Sequence, residues 1–170
     1  VDTSFGRTFV RLSGPPGASP LIMLPGIGSP GLLFVENVAA LSREFQTLVV
    51  DNIHDVGLSV ETHPVTGPED FTVWLNELCT GLGLGDEVNF IGLSYGGWIA
   101  AHYALRFPGR VRRLVLSGAP ALGIDRADKL VLLPWLHLAP GPERDAAMRE
   151  NLARLMLAQP ESNDDLALAL

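Results

Sequence analysis

The chain has 170 residues, of which 47% are apolar and 18% are charged. This composition suits one globular domain with a sizeable core and argues against a disordered chain. The formal net charge is −7 with no basic cluster to offset it, which argues against nucleic acid or an anionic membrane surface as a partner. Cys79 is the single cysteine, so these residues cannot form a disulfide among themselves. No apolar run is long enough to cross a membrane, and we expect a cytoplasmic protein.

The first fifty residues alternate between strand and helix patterns. Residues 5–12 predict a strand, and the continuous apolar runs at 21–24 and 47–51 predict buried strands of a parallel sheet. Between these two runs, the glycine-rich residues 25–30 predict a loop, and residues 32–44 predict a helix.

The same alternation continues beyond a long predicted loop at residues 52–67, which carries His54 and His63. Pro68 is suited to the first turn of a helix, which we expect to end near Leu82. The next predicted elements are a strand at residues 88–93, a helix that ends by residue 107 and a second strand at residues 114–116. Strands and helices at this spacing predict an α/β fold, with a mostly parallel sheet and helices on both of its faces.

The pattern changes at residue 125. Residues 130–138 are strongly apolar, and residues 143–157 carry apolar side chains at helical spacing. We therefore predict two parts, an α/β core over residues 1–124 and a helical lid or cap segment over residues 125–170. The alternative is that the second part contributes another helix to the layer that covers the sheet.

The most informative motif is Gly-x-Ser-x-Gly at residues 92–96, between a predicted strand and a predicted helix. This arrangement is typical of a nucleophile elbow, in which a sharp turn exposes the hydroxyl of Ser94 at the carboxyl edge of the sheet. Gly92 and Gly96 would leave room for that turn. The alternative is an ordinary glycine-rich joint in which Ser94 caps the helix.

In order and spacing, these segments resemble the α/β-hydrolase superfamily. The closer similarity is to its lid-bearing esterases, small-molecule hydrolases and cofactor-free haloperoxidases. The resemblance covers about residues 5–125 and includes the strand and glycine loop at 21–30, the elbow, and residues 107–120. It implies an incomplete α/β-hydrolase fold followed by the start of a helical lid.

The resemblance also implies roles for backbone groups. The family's oxyanion hole uses the amide after the nucleophile and one amide of the glycine loop, which here are Tyr95 and either Ile27 or Gly28. The family's loop usually begins His-Gly, whereas this one begins Pro25-Gly26. Because the hydrogen bonds come from the backbone, the loss of that histidine does not remove the oxyanion hole.

A serine hydrolase also needs a histidine base and an orienting acid. In α/β-hydrolases both follow the nucleophile, usually on loops after the last two strands. The chain reaches its lid-like region before such strands, so we expect a fragment whose acid and histidine lie elsewhere. Within the chain, Asp125 is a candidate acid and His54 a candidate base. Compared with the family's pattern, residues 51–59 carry one additional residue.

Other candidate groups concern the substrate and partners. Trp98, Trp135 and Leu132 would line an apolar acyl pocket, although core packing explains them equally well. No histidine and carboxylate pair has metal-ligand spacing, and we expect neither a metal nor a cofactor. The strand near residues 112–118 would form a sheet edge. We expect that edge either to pair with a second chain that completes the sheet or to pair with another copy of this chain.

Together these features predict an esterase-type serine hydrolase that cleaves a small ester-like substrate through an acyl-Ser94 intermediate. Two alternatives stay open. One is a catalytically incomplete binding protein or fragment with an α/β-hydrolase-like fold. The other is a cofactor-free haloperoxidase or perhydrolase, which would use the same triad.

Overall fold

The computed structural model describes residues 1–119, 141–143 and 146–147. Its strands, in chain order, are β1 (Asp2–Thr3), β2 (Gly6–Arg7), β3 (Val10–Ser13), β4 (Ser19–Leu24), β5 (Phe45–Val50), β6 (Val60–Glu61), β7 (Val88–Leu93) and β8 (Val111–Ser117). The α-helices are α1 (Val35–Leu41), α2 (Pro68–Gly81) and α3 (Tyr95–Arg106). Short 3₁₀ turns at Gly31–Phe34 and Pro108–Arg110 precede α1 and β8.

The main sheet has the strand order β3-β5-β4-β7-β8. Strand β3 runs antiparallel to β5, and the other neighbours are parallel, as expected for a mostly parallel sheet. Because the carboxyl ends of parallel strands meet at one edge, the segments that follow β4, β5 and β7 lie at the same edge. Ser94 directly follows β7.

Alternate residues of the central strands face two separate core clusters, because successive side chains point to opposite faces of a sheet. One cluster joins the strands to α2 and α3. The other joins them to the first helical segment through Phe34, with Val38 and Leu41 of α1 packed against it. Helices therefore cover both faces of the sheet, as the sequence predicts.

The predicted single strand at residues 5–12 is wrong in one respect. The structure divides it into β2, which pairs with β6 in a small antiparallel sheet, and β3 of the main sheet. Thr8, between the two, is buried, and its Oγ1 accepts a 2.8 Å hydrogen bond from Trp74 Nε1. This bond fixes the chain between β2 and β3. Strand β6, which pairs with β2, lies within residues 52–67, which the sequence predicts as a loop.

Strand β8 is the last strand of the main sheet among the described residues. It pairs with β7, and two of its apolar side chains are exposed, Val115 at 54% and Leu116 at 44%. The expected sheet edge is therefore present in the described part of the chain. In the same part, no helix combines the length and apolar character needed to span a membrane.

Candidate active site

Ser94 lies at the turn between β7 and α3 with φ 47° and ψ −113°. A positive φ is unusual for a residue with a side chain and indicates backbone strain, which concentrates at functional sites. The Ser94 amide donates to Ser117 O at 2.8 Å, and the Ser94 carbonyl accepts from Trp98 N at 3.0 Å. The Ser94 side chain makes no capping hydrogen bond to α3. Its backbone is therefore held in place while its hydroxyl is not used to cap the helix.

The turn is possible because Gly92 and Gly96 lack side chains. A Cβ atom on Gly92 would lie 2.5 Å from Gly97 Cα, and one on Gly96 would lie 2.2 Å from Leu24 O. Both distances are far below van der Waals contact, and the obstructing atoms are backbone. Any larger residue would push α3 away from β7 or from the end of β4.

The glycine loop after β4 lies beside Ser94. A Cβ atom on Gly26 would be 3.5 Å from Ser94 Cβ. The loop makes a tight turn in which Ser29 N donates to Gly26 O at 3.2 Å, and Gly28 has φ 72°. Glycine adopts this left-handed conformation without strain, so it suits the third position of such a turn.

Two hydrogen bonds attach this loop to its neighbours through the carbonyl of Pro25. Asn52 Nδ2 and Gly96 N each donate to Pro25 O at 3.0 Å. Asn52 is fully buried. One carbonyl thus joins the ends of β4 and β5 to the first turn of α3.

The three predicted oxyanion-hole amides differ in what they bind. Gly28 N donates to Asp55 Oδ1 at 2.9 Å, so this amide is already engaged. Among the described residues, neither Ile27 nor Tyr95 donates its backbone N–H to a hydrogen bond. Tyr95 N lies at the amino end of α3, where unpaired amides and the helix dipole favour negative charge.

The loop that follows β5 is organised by Asp51, whose side chain is fully buried. Its Oδ1 accepts from Arg11 Nη1 at 2.8 Å and from Gly31 N at 2.7 Å, and its Oδ2 accepts from Leu58 N at 2.9 Å. By accepting hydrogen bonds from one arginine side chain and two backbone amides, this carboxylate fixes the loop.

His54, the candidate base, also has a positive φ of 63° and pairs with Glu61. Its Nδ1 lies 2.9 Å from Glu61 Oε2, and the Glu61 side chain is almost completely buried. Glu61 Oε1 also accepts a hydrogen bond from Val65 N at 3.0 Å. Among the described residues, the Ser94 hydroxyl makes no hydrogen bond, with His54 or with any other group. The structure thus gives His54 a carboxylate partner that the sequence reading missed.

Aromatic rings pack beside the elbow. Tyr95 and Trp98 are stacked with ring centroids 5.6 Å apart, and Phe71 meets both rings edge-on. Burial, and then the charges of Asp55 and Glu61, raise the pKa of the Tyr95 phenol, which stays protonated at ordinary pH. Trp98 packs against the core through this cluster.

The remaining predicted site residues lie outside the described residues. They are the candidate acid and the lid part of the acyl pocket: Asp125, Leu132 and Trp135. Residues 1–119, 141–143 and 146–147 contain no group of three histidine, cysteine, aspartate or glutamate side chains that could hold a metal ion.

Comparison with known proteins agrees with this geometry. The family model described as the alpha/beta hydrolase fold matches residues 19–141. The chain belongs to the α/β-hydrolase family. The match extends from β4 to beyond β8, so it includes the glycine loop, the loop after β5 and the turn at Ser94.

Among curated proteins, this α/β-hydrolase is 37% identical to carboxylesterase YbfK of Bacillus subtilis over 122 residues, which cover 71% of this chain and 41% of the relative. It is 34% identical to the uncharacterized carboxylesterase nap of the same organism over 112 residues, covering 66% of this chain and 37% of the relative. The chain therefore spans less than half the length of these two relatives.

Solved structures give the same result. The crystal structure of the B. subtilis carboxylesterase CesB (YbfK) matches with a TM-score of 0.72 and 29% identity, covering 87% of this chain and 57% of that one. The naproxen esterase (carboxylesterase NP) of B. subtilis matches with a TM-score of 0.71 and 27% identity, covering 89% and 59%.

Proposed function

We propose that this α/β-hydrolase is a carboxylesterase in which Ser94 is the nucleophile. Ser94 Oγ attacks the carbonyl carbon of a small ester, the alcohol leaves, and water hydrolyses the acyl-Ser94 intermediate. The observation that carries the proposal is the conformation of Ser94. Ser94 has a strained backbone at a strand–helix turn next to the glycine loop, and its hydroxyl does not cap the helix.

In this proposal the amides of Ile27 and Tyr95 donate to the oxyanion of the tetrahedral intermediate. Both are without hydrogen-bond partners among the described residues, whereas the amide of Gly28 is engaged by Asp55. One well-placed donor contributes about 3 kcal/mol to transition-state stabilisation. The amino end of α3 adds favourable electrostatics at the same point.

The general base and its acid are proposed to come from a part of the protein beyond residue 119. The observation in favour of this is that the Ser94 hydroxyl makes no hydrogen bond to a histidine among the described residues. We propose that the strands which carry the base and acid pair with the exposed edge of β8. The matched residues cover only 41% and 37% of the related carboxylesterases YbfK and nap, so those proteins have room for such strands.

The substrate is proposed to be a small ester with an apolar acyl group. The names of the relatives, carboxylesterase YbfK and the naproxen esterase, support an ester as the substrate. Trp98 of α3, which packs beside Tyr95, would contribute to the acyl pocket.

The test is hydrolysis of p-nitrophenyl butyrate by the complete protein and its Ser94→Ala variant. Loss of a triad serine costs on the order of 10⁴-fold or more in kcat, and we expect at least that loss here. Ser42→Ala, which alters a serine at the end of α1, is the matched control and should keep full activity. Hydrolysis that survives Ser94→Ala would refute the proposal, because it would place the catalytic nucleophile elsewhere; no hydrolysis by the wild type either would favour a binding protein.

A further inference from the structure

Asp55 connects two loops of the proposed active site, and the proposed mechanism does not yet give it a role. Its carboxylate is buried, and its Oδ1 accepts hydrogen bonds from Gly28 N at 2.9 Å and from Val56 N at 2.8 Å. One donor lies in the glycine loop after β4, and the other lies in the loop after β5. Hydrogen bonds to an ionised acceptor are about twice as strong as those between neutral groups. The contact therefore ties the two loops together at a single atom.

The position of Gly28 decides what this contact controls. Gly28 has a φ of 72° in the turn closed by Ser29 N and Gly26 O, and Ile27 is the preceding residue of that turn. The bond from Gly28 N to Asp55 fixes the peptide plane between Ile27 and Gly28, and the bond from Ser29 N to Gly26 O restrains the rest of the turn. Because a Cβ atom on Gly26 would lie 3.5 Å from Ser94 Cβ, the turn is close to the nucleophile, and its rotation would move the loop amides relative to Ser94.

We propose that Asp55 is a positioning residue for the oxyanion hole: by binding Gly28 N–H it holds the turn so that Ile27, and not Gly28, supplies the loop amide. This inference rests on the proposed esterase function and deepens it. Asp55 acts through the turn and does not touch the substrate.

A second effect of Asp55 opposes the first. Its negative charge acts on the Tyr95 phenol, and the same charge would disfavour an oxyanion nearby. Positioning and charge can be separated, because asparagine keeps the acceptor oxygen of aspartate but removes the charge. If positioning dominates, Asp55→Asn resembles the wild type and Asp55→Ala does not.

The kinetic test uses the complete protein and measures kcat and KM for p-nitrophenyl butyrate. We expect Asp55→Ala to lower kcat by about 30-fold or more, because one oxyanion donor is displaced, with little change in KM. Asp55→Asn should stay within about 3-fold of the wild type because the hydrogen-bond acceptor is kept. Glu61→Gln is the matched control: it neutralises the other carboxylate that acts on Tyr95 and leaves the glycine loop untouched.

The outcomes are distinct. Unchanged kcat in folded Asp55→Ala would overturn the inference, and so would equal losses in Asp55→Asn and Asp55→Ala, because the acceptor oxygen that asparagine keeps would then not be what matters. Ser94→Ala distinguishes failure of the proposed esterase function from failure of the role proposed for Asp55. Activity that survives Ser94→Ala refutes the proposed function itself, whereas activity that needs Ser94 and ignores Asp55→Ala refutes this inference alone.

A crystal structure of the wild-type protein after phosphonylation of Ser94 tests the same point without depending on how any variant folds. We expect the phosphonyl oxygen within hydrogen-bond distance of Ile27 N and Tyr95 N, with Gly28 N still bound to Asp55. A structure in which Gly28 N has left Asp55 and binds the phosphonyl oxygen would overturn the inference.

Discussion

Replacement of Ser94 by glycine should stabilise the protein relative to replacement by alanine, although neither variant can be acylated. Both substitutions remove the hydroxyl, so their difference reports on the backbone at φ 47° and ψ −113°. A residue with a side chain in such a conformation is strained by about 1–3 kcal/mol, which glycine relieves. Glycine costs about 0.5–1 kcal/mol of additional chain entropy on folding. The net expectation is that Ser94→Gly is more stable than Ser94→Ala by about 1 kcal/mol.

Thermal unfolding followed by circular dichroism measures this difference, which corresponds to about 2–4 °C in Tm for a domain of this size. Ser42 provides the matched pair because its φ of −70° suits any residue. There the order should reverse, with Ser42→Gly less stable than Ser42→Ala by about 0.5–1 kcal/mol. If glycine destabilises position 94 as much as position 42, the elbow stores no strain and this part of the reasoning is wrong.

Three further outcomes are expected elsewhere in the core. Gly96→Ala should lower the free energy of unfolding in urea by about 3 kcal/mol, because the new Cβ would lie 2.2 Å from Leu24 O. The control Gly109→Ala should leave the free energy of unfolding unchanged, because its Cβ meets nothing within 4 Å. Burial raises the pKa of Cys79 to about 11, so iodoacetamide at about pH 8 should alkylate it in urea but not in the folded protein; rapid labelling without urea would contradict this. Asp51→Ala leaves buried donors unpaired and should cost about 3 kcal/mol, and a loss under about 1 kcal/mol would show that water replaces the carboxylate.

The fold and the tight strand–helix turn at Ser94 could be predicted because local sequence determines them. Continuous apolar runs identify the buried strands, and glycines at two residues before and after Ser94 are required by the tight turn that the structure contains. Pro68 begins α2 as expected, because proline suits the first turn of a helix. In each case a few neighbouring residues carry the whole signal.

The connections between loops could not be predicted in this way, because they join residues far apart in the sequence. The contact of Gly28 with Asp55 spans 27 positions, and the bond between Trp74 and Thr8 that separates β2 from β3 spans 66. His54 and Glu61 of β6 are only seven positions apart, but neither residue belongs to a recognisable motif. Charged residues in a loop are usually solvated, so composition alone gave no reason to expect these buried carboxylates.

Labelling with a fluorophosphonate serine probe, read by intact mass and peptide mapping, tests the central claim most directly. The probe reacts rapidly only with an activated serine, so it reports on the nucleophile without requiring knowledge of the substrate. If Ser94 is the nucleophile, the complete protein should gain one adduct, mapped to Ser94 and absent from Ser94→Ala. A protein that gains no adduct, or an adduct on a different serine, would contradict the account.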